Sequence, residues 1–185
     1  MFGNSLGSRS DEELMRLLQE GEQKALSLIY NRYSRQMIRY FYRMLWQDEN
    51  KAQDFLHDLF VRIIERPHLF DTGKRFSTWM YSVAHNMCKN EYRKQGYRTA
   101  VEKTLRVEEA VENSIADEMD RKDFMKVLDR AMKTWAEDDR SLFVLRQVME
   151  MTFGEIAAVL DCPESTARTR WFHLRKGLAE NFREF

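Results

Sequence analysis

Apolar side chains recur at three- and four-residue intervals along nearly the whole chain, and nowhere do they alternate one by one over the length of a strand. That period predicts helices throughout. Breakers are sparse, with two prolines and seven glycines in 185 residues. Ser10, followed by Asp11, Glu12 and Glu13, has the form of a capping box opening a first helix through Leu14, Leu17 and Leu18, which Gly21 ends. A second helix carries Ala25, Leu28, Ile29, Met37, Tyr40, Phe41, Met44 and Leu45. The third is the most regular. Ala52, Phe55, Leu56, Leu59, Phe60, Ile63 and Ile64 fall on one stripe before Arg66-Pro67 stops it. After a loop from His68 to Arg75, a fourth stripe runs Phe76, Trp79, Met80, Val83, Ala84, Met87, and Gly96 closes the unit.

From about Gly96 to Asp117 large apolar residues thin out and acids dominate, which reads as a linker. A second unit follows, with Phe124, Val127, Leu128, Ala131 and Trp135 on one helix and Leu142, Leu145 and Met149 on the next. The fold class expected is therefore all-α, with two small helical domains joined by a flexible acidic linker. The boundaries are an extension and first helix over 1–21, a first domain over 22–97, a linker over 98–117 and a second domain over 118–185.

Composition narrows the function classes. Thirty basic and thirty acidic groups cancel, and charged residues make up 32%. The longest apolar run, Ile156 to Leu160, is far below the roughly 20 residues a membrane span needs, so no membrane insertion is expected. Cys88 and Cys162 are the two cysteines, without metal or disulfide spacing, and a polar start lacks the form of a secretory signal, pointing to the cytoplasm. The neutral total hides a segregation: residues 1–98 carry 16 basic and 12 acidic groups and 163–185 carry 5 and 3, with acidic chain between. Two separated basic regions suit two contact points on a nucleic acid.

The last thirty-odd residues say most. A short helix from Thr152 ends near Leu160, another begins at Pro163, and small Ala157 allows a close crossing, as in a helix-turn-helix. On the second helix Ala167, Trp171, Leu174 and Leu178 share one face. Ser165, Thr169, Phe172, His173 and Lys176 then turn the other way, flanked by Arg168. Donors, cations and an aromatic surface are what base edges, phosphates and a thymine methyl require. A plain amphipathic surface helix would show the same period.

In the first unit, the third helix turns Asp54, Asp58, Val61 and Glu65 away from its apolar stripe, flanked by His57. This acidic ridge suits a basic protein surface, though a solvated face would look alike. The fourth helix turns Thr78, Tyr81, Ser82, His85, Lys89 and Tyr92 outward, with Asn86 and Arg93 beside them. Aromatic planes among basic and amide groups fit unstacked bases and phosphates.

The arrangement resembles the bacterial RNA polymerase sigma factors, specifically the extracytoplasmic-function (ECF) group. The carriers are Tyr30 and Tyr33, the run Ala52 to Glu65, Phe76 to Asn86, Phe143 to Arg146, Thr152 to Ala157 and the second helix of the pair. The resemblance implies a monomeric transcription initiation factor, without catalysis or cofactor, that binds core RNA polymerase and directs it to promoter DNA. It implies that Asp54, His57, Asp58 and Val61 dock on the clamp helices of the polymerase's largest subunit. Lys74, Arg75, Ser77, Asn86, Lys89 and Arg93 would meet the minus-ten element. Ser165, Arg168, Thr169, Phe172, His173 and Lys176 would meet the minus-thirty-five element. The acidic linker would thread the polymerase's RNA path, and an anti-sigma factor would restrain the free protein. His57 and His173 stand where the family more often has Gln and Arg, and Asp161 where it often has Gly.

Two other assignments compete with this one. Asp54-x-x-His57 and Glu65-x-x-His68 imitate di-iron bundle spacing, but both pairs come from one helix whose acids face away from the apolar stripe, so no metal is expected. A stand-alone helix-turn-helix regulator acting without polymerase is the alternative, and it leaves the first ninety-odd residues unexplained.

Overall fold

The computed structural model describes residues 6–103 and 121–181, with side chains placed over 6–95 and most of 127–180. These residues form eight α-helices and one short 3-10 turn. They are α1 (Asp11–Gln19), α2 (Lys24–Met44), α3 (Glu49–Glu65), the turn Pro67–Leu69, α4 (Phe76–Lys103), α5 (Arg121–Thr134), α6 (Glu137–Gln147), α7 (Phe153–Val159) and α8 (Glu164–Asn181). The acidic stretch expected as linker lies, over 104–120, outside the described residues, as does the side chain of Phe124.

The helix starts follow from local chemistry. At α1 the Glu13 amide donates to Ser10 Oγ at 3.2 Å while the Ser10 amide donates to Glu13 Oε2 at 2.9 Å, the reciprocal box expected. Thr152 and Glu155 repeat it at α7. The loop before α4 is braced from α1: Gln19 Nε2 donates to the carbonyls of Pro67 and Phe70 at 3.0 and 2.8 Å, and the Phe76 amide donates to Glu12 Oε1 at 2.9 Å. That last bond sets a carboxylate on the otherwise unsatisfied amides of the α4 N-terminus. Gly96 does not end α4, which runs on to Lys103. One glycine costs a helix only about 1 kcal/mol relative to alanine, too little to stop it without a competing cap.

α2 packs on both α1 and α3, and all three pack on α4, from Phe76 at its start to Glu91 and Tyr92 further along. Tyr40, Phe41, Phe70 and Phe76 are fully buried, with edge contacts such as Phe41 to Phe55 at 5.5 Å and Phe70 to Phe76 at 5.4 Å between ring centres. Ile64, expected on the stripe of α3, stands at its margin and is 39% exposed. In the second unit α7 and α8 cross at buried Ala157 and Ala167, and Trp171 lies between Phe143 and Phe153 at 5.9 and 6.5 Å.

The two units are not held apart. α6 packs on α2 and α4, and α7 on α4, so one apolar core runs through both. This corrects the expected outward face of α4: Tyr81, His85 and Tyr92 are 3, 3 and 7% exposed. They are held from both sides: within their own unit the Tyr81 ring lies 5.5 Å from that of Tyr40 and the Tyr92 hydroxyl donates to the Met44 carbonyl, while from the second unit Met149, Asp138 and Arg140 meet Tyr81, His85 and Tyr92.

Phe41→Ala removes a fully enclosed ring at the α2–α3 contact. The expected cost is about 3–5 kcal/mol, read as a lower urea midpoint with an unchanged slope.

Candidate nucleic-acid and polymerase interfaces

α3 and α4 stand side by side in the first unit and present chemically different faces. On α3, Asp54, His57 and Asp58 are exposed and Val61 is half-buried. Among the described residues neither aspartate has an ion-pair partner. The ridge is thus an unneutralised acidic surface, fixed in place by Leu56, Leu59 and Phe60 buried on the opposite side.

The loop into α4 is set by Asp71, whose Oδ1 accepts from the Gly73 amide at 3.0 Å and whose carbonyl accepts from the Lys74 amide at 2.9 Å. Lys74 and Arg75 project from it, both exposed. Along α4, Asn86 and Arg93 are exposed, while Ser77 and Lys89 are half-buried. Between α3 and α4 runs a groove of about 550 Å³ whose walls include Arg62, Arg66, Leu69, Trp79, Asn86 and Asn90. Of these, Arg62, Arg66, Leu69 and Asn90 escaped the sequence reading. The spacing of four in Arg62/Arg66 and in Asn86/Asn90, which puts each pair on one helical edge, is the signal that could have found them.

On α8, Ser165, Arg168, Thr169, Phe172, His173 and Lys176 are all exposed. Phe172 is 64% exposed, its ring edge-on to His173 at 5.7 Å. Behind them Ala167 is sealed against α7, which fixes the helix's rotation. Asp161, at the turn between α7 and α8, has φ +51°, a left-handed value that Asp tolerates better than most residues, and the Cys162 amide closes the turn on the Ala157 carbonyl at 3.0 Å. Arg168 is held at rest by Glu164, with Nε 3.0 Å and Nη2 2.5 Å from Oε1, and lies over the Phe153 ring at 4.9 Å. An exposed phenyl among donors and a guanidinium on one groove-sized helix is a surface built for contact.

The junction between the units is polar as well as apolar. Asp138 on α6 receives His85 Nε2 at 3.2 Å, Lys89 Nζ at 3.1 Å and, from α8, Arg170 Nη1 at 3.5 Å. Arg75 pairs with Glu155 of α7. Tyr40 and Ser141 share a buried hydrogen bond at 3.0 Å, and Tyr81 donates to Met149 Sδ at 3.1 Å. Arg140, 4% exposed, donates to the Met132 and Trp135 carbonyls at 2.8 and 3.3 Å. Its guanidinium also lies 5.4 Å from the Trp46 ring centre and 4.9 Å from that of Tyr92.

Burial pushes the His85 imidazole below its ordinary value, against the pull of Asp138. The ring is thus neutral, Nε2–H donating to Asp138, while buried Nδ1 has no partner. Burial alone would raise Asp138, but the Lys89 hydrogen bond and charge, with His85 and Arg170, outweigh it and keep the carboxyl ionised below the usual range. Glu155 is likewise lowered, its partial burial outweighed by bonds from Thr152 and by Arg75.

Similarity to known proteins follows the same division. Residues 29–98 match the sigma-70 region 2 model and residues 125–178 the sigma-70 region 4 model, in that order. This chain belongs to the sigma-70 family of transcription initiation factors, in its ECF group. It is 27% identical over 178 residues to the ECF RNA polymerase sigma-E factor of Escherichia coli (strain K12), covering 91% of this chain and 92% of that one. With the Haemophilus influenzae sigma-E factor it shares 25% over 177 residues, covering 90 and 92%. In fold it is similar to CnrH, solved in complex with the cytosolic domain of CnrY, at TM-score 0.70 and 20% identity over 94% of this chain and 97% of that one. It is also similar to RpoE of Bartonella quintana, solved with the anti-sigma factor NepR, at TM-score 0.61 and 19% identity over 80 and 89%.

The chain is accordingly a polymerase-binding sigma factor that directs transcription to promoters. A helix-turn-helix regulator working without polymerase is not favoured, because the match over 29–98 would then have no role. Sigma factors are non-catalytic initiation factors, and the related ones work in the cytoplasm. Among the described residues no helix is long and apolar enough to cross a membrane, and no three His, Cys, Asp or Glu side chains gather as a metal would require.

The lowered His85 predicts how pH acts on the junction. A base with a depressed value in the docked form contributes stability that is full above about 6.5 and is lost as pH falls below it. Asp138, lowered from a value already below 4, stays ionised across that window. Docking of the two units is expected to loosen between pH 7.5 and 5.5, read by energy transfer between dyes on Gln53→Cys and Glu180→Cys in a Cys162→Ser background. Constant transfer across that range would exclude a titrating His85 at the junction.

Proposed function

We propose that the faces described above divide the work of promoter recognition within this sigma factor. The acidic ridge of α3 (Asp54, His57, Asp58 and Val61) docks on the clamp helices of the polymerase's largest subunit. Its unpaired carboxylates favour a cationic partner surface. The loop before α4 and its exposed edge (Lys74, Arg75, Ser77, Asn86, Lys89 and Arg93) meet the minus-ten element. Cations there hold phosphates, and the α3–α4 groove, with Trp79 in its wall, offers a stacking surface to an unpaired base. The outward face of α8 enters the major groove at the minus-thirty-five element. There Arg168 exchanges Glu164 for a base edge, while Ser165, Thr169, His173 and Lys176 serve bases and phosphates around Phe172.

The observation that carries this reading is the α8 face: all six side chains are exposed, Phe172 among them, on a helix whose rotation is locked by Ala167. The functional domains are taken as 22–97 and 118–185, with 98–117 as linker following the RNA path. The protein is read as a cytoplasmic monomer with no catalysis and no cofactor. Two proteins similar to it in fold were solved with a partner bound, CnrH with CnrY and the sigma factor RpoE with the anti-sigma factor NepR, which supports an anti-sigma partner here too.

Run-off transcription with purified core enzyme on a library of promoter-like templates tests the whole. Arg168→Ala should cost about 1–3 kcal/mol at particular base positions of the upstream element. Equal loss on every template would refute its base-reading role. Asp58→Lys should weaken core polymerase binding with an unchanged helical spectrum, measured by competition for core enzyme. Binding equal to the parent would take Asp58 off the docking surface.

A further inference from the structure

We propose that Asp138 stands in for a nucleic-acid phosphate within the free chain, so that the first turn of α6 masks the face of α4 assigned above to the minus-ten strand. This rests on that assignment. Lys89 is one of the DNA contacts proposed there, and its ammonium is already taken, 3.1 Å from Asp138 Oδ1. A second, Arg75, is held by Glu155 at the other end of the contact. Both carboxylates come from the C-terminal unit and both cations from the N-terminal one. A carboxylate with an ammonium and an imidazole N–H on Oδ1 and a guanidinium beside Oδ2 is in the surroundings a phosphate would seek.

The masking is incomplete in a useful way. Lys74, Asn86 and Arg93 remain exposed on the same face. A strand can therefore engage these first and then compete for Lys89, displacing α6 rather than waiting for it to leave. Helix stability explains acids in the first turn of α6, since Glu137, Asp138 and Asp139 all sit at its positive end. It does not explain why Asp138 in particular bridges His85 and Lys89 of the other unit.

The test uses the full-length chain, a fluorescein-labelled 20-nucleotide single strand of mixed sequence, and the dye pair on Gln53→Cys and Glu180→Cys. Asp138→Ala is compared with Glu20→Ala, which removes the same charge at an exposed site away from the junction. The expected result is lower energy transfer and several-fold tighter binding of the strand for Asp138→Ala, with neither change for Glu20→Ala. Adding the strand to the parent chain should itself lower the transfer. Run-off transcription by Asp138→Ala with core enzyme verifies that the variant is folded. If Asp138→Ala opens the chain but binds the strand no better than Glu20→Ala does, the masking is refuted. Unchanged transfer refutes the latch. Lys89→Gln in the holoenzyme separates the premise from the proposal: undiminished promoter opening removes Lys89 from the DNA surface and takes both down. Reduced opening there, with no gain from Asp138→Ala, sinks the latch alone.

Discussion

The buried guanidinium of Arg140 sits where the two units meet, and among the described residues no carboxylate lies against it. Its charge is met by two backbone carbonyls and by the faces of Trp46 and Tyr92, one from the end of α2 and one from α4. Two carbonyls and two ring faces offset part of the cost of taking a guanidinium out of water. Nη1 has no hydrogen-bond partner, so the arrangement is satisfied only while both rings are in place. The receiving half is itself strained, since Trp46 and Gln47 both have positive φ, +55° and +64°. Left-handed backbone in non-glycine residues costs on the order of 1 kcal/mol each, here held by the Gln47 amide bonding the Tyr42 carbonyl at 2.8 Å. The turn thus delivers the Trp46 ring to Tyr92, 4.8 Å between centres, as a prepared seat for Arg140.

Around that anchor the contacts are individually small. Half-exposed ion pairs such as Lys89 with Asp138 contribute at most about 1 kcal/mol each. Ser141 and Met149 offer single hydrogen bonds to Tyr40 and Tyr81, each worth about 1 kcal/mol net. Such a junction can be strong enough to close the free chain and weak enough to yield to a partner that binds the separated units.

Most of the architecture was legible before any coordinates, because helical period and caps are local properties. The Ser10 box, the stripe of α3, the stop at Pro67 and the α7–α8 pair all follow from side chains within one or two turns. What periodicity could not convey is whether an outward face is wet. Tyr81, His85 and Tyr92 are dry because α2 meets the two tyrosines from their own unit, through Tyr40 and the Met44 carbonyl, and because Met149, Asp138 and Arg140, distant in sequence, meet Tyr81, His85 and Tyr92 from the other. Gly96 failed as a stop for the opposite reason: its cost is local and small, whereas the helix it interrupts is continuous on both sides. The α3–α4 groove was half visible, Asn86 from one helix alone, since a groove exists only once two helices are placed side by side.

Reading burial as a property of the pair of units changes what its function requires. A partner can shift a two-state equilibrium only by as much as it prefers one state. In the docking proposed above, core polymerase meets the ridge of α3, which is exposed while the units are docked, and it gains nothing further from the docked form. A contact to the C-terminal unit favours separation only where the docked arrangement keeps the partner from reaching it. Duplex DNA at α8 has no such leverage by itself, because Ser165, Arg168, Thr169, Phe172, His173 and Lys176 are exposed while the units are docked. In that geometry upstream-element contacts are compatible with the closed chain, and contacts through Lys89 and Arg75 are not. With Lys89 and Arg75 assigned as proposed, opening is tied to the strand-separating half of promoter recognition, the half in which a sigma factor acting without polymerase would be least useful.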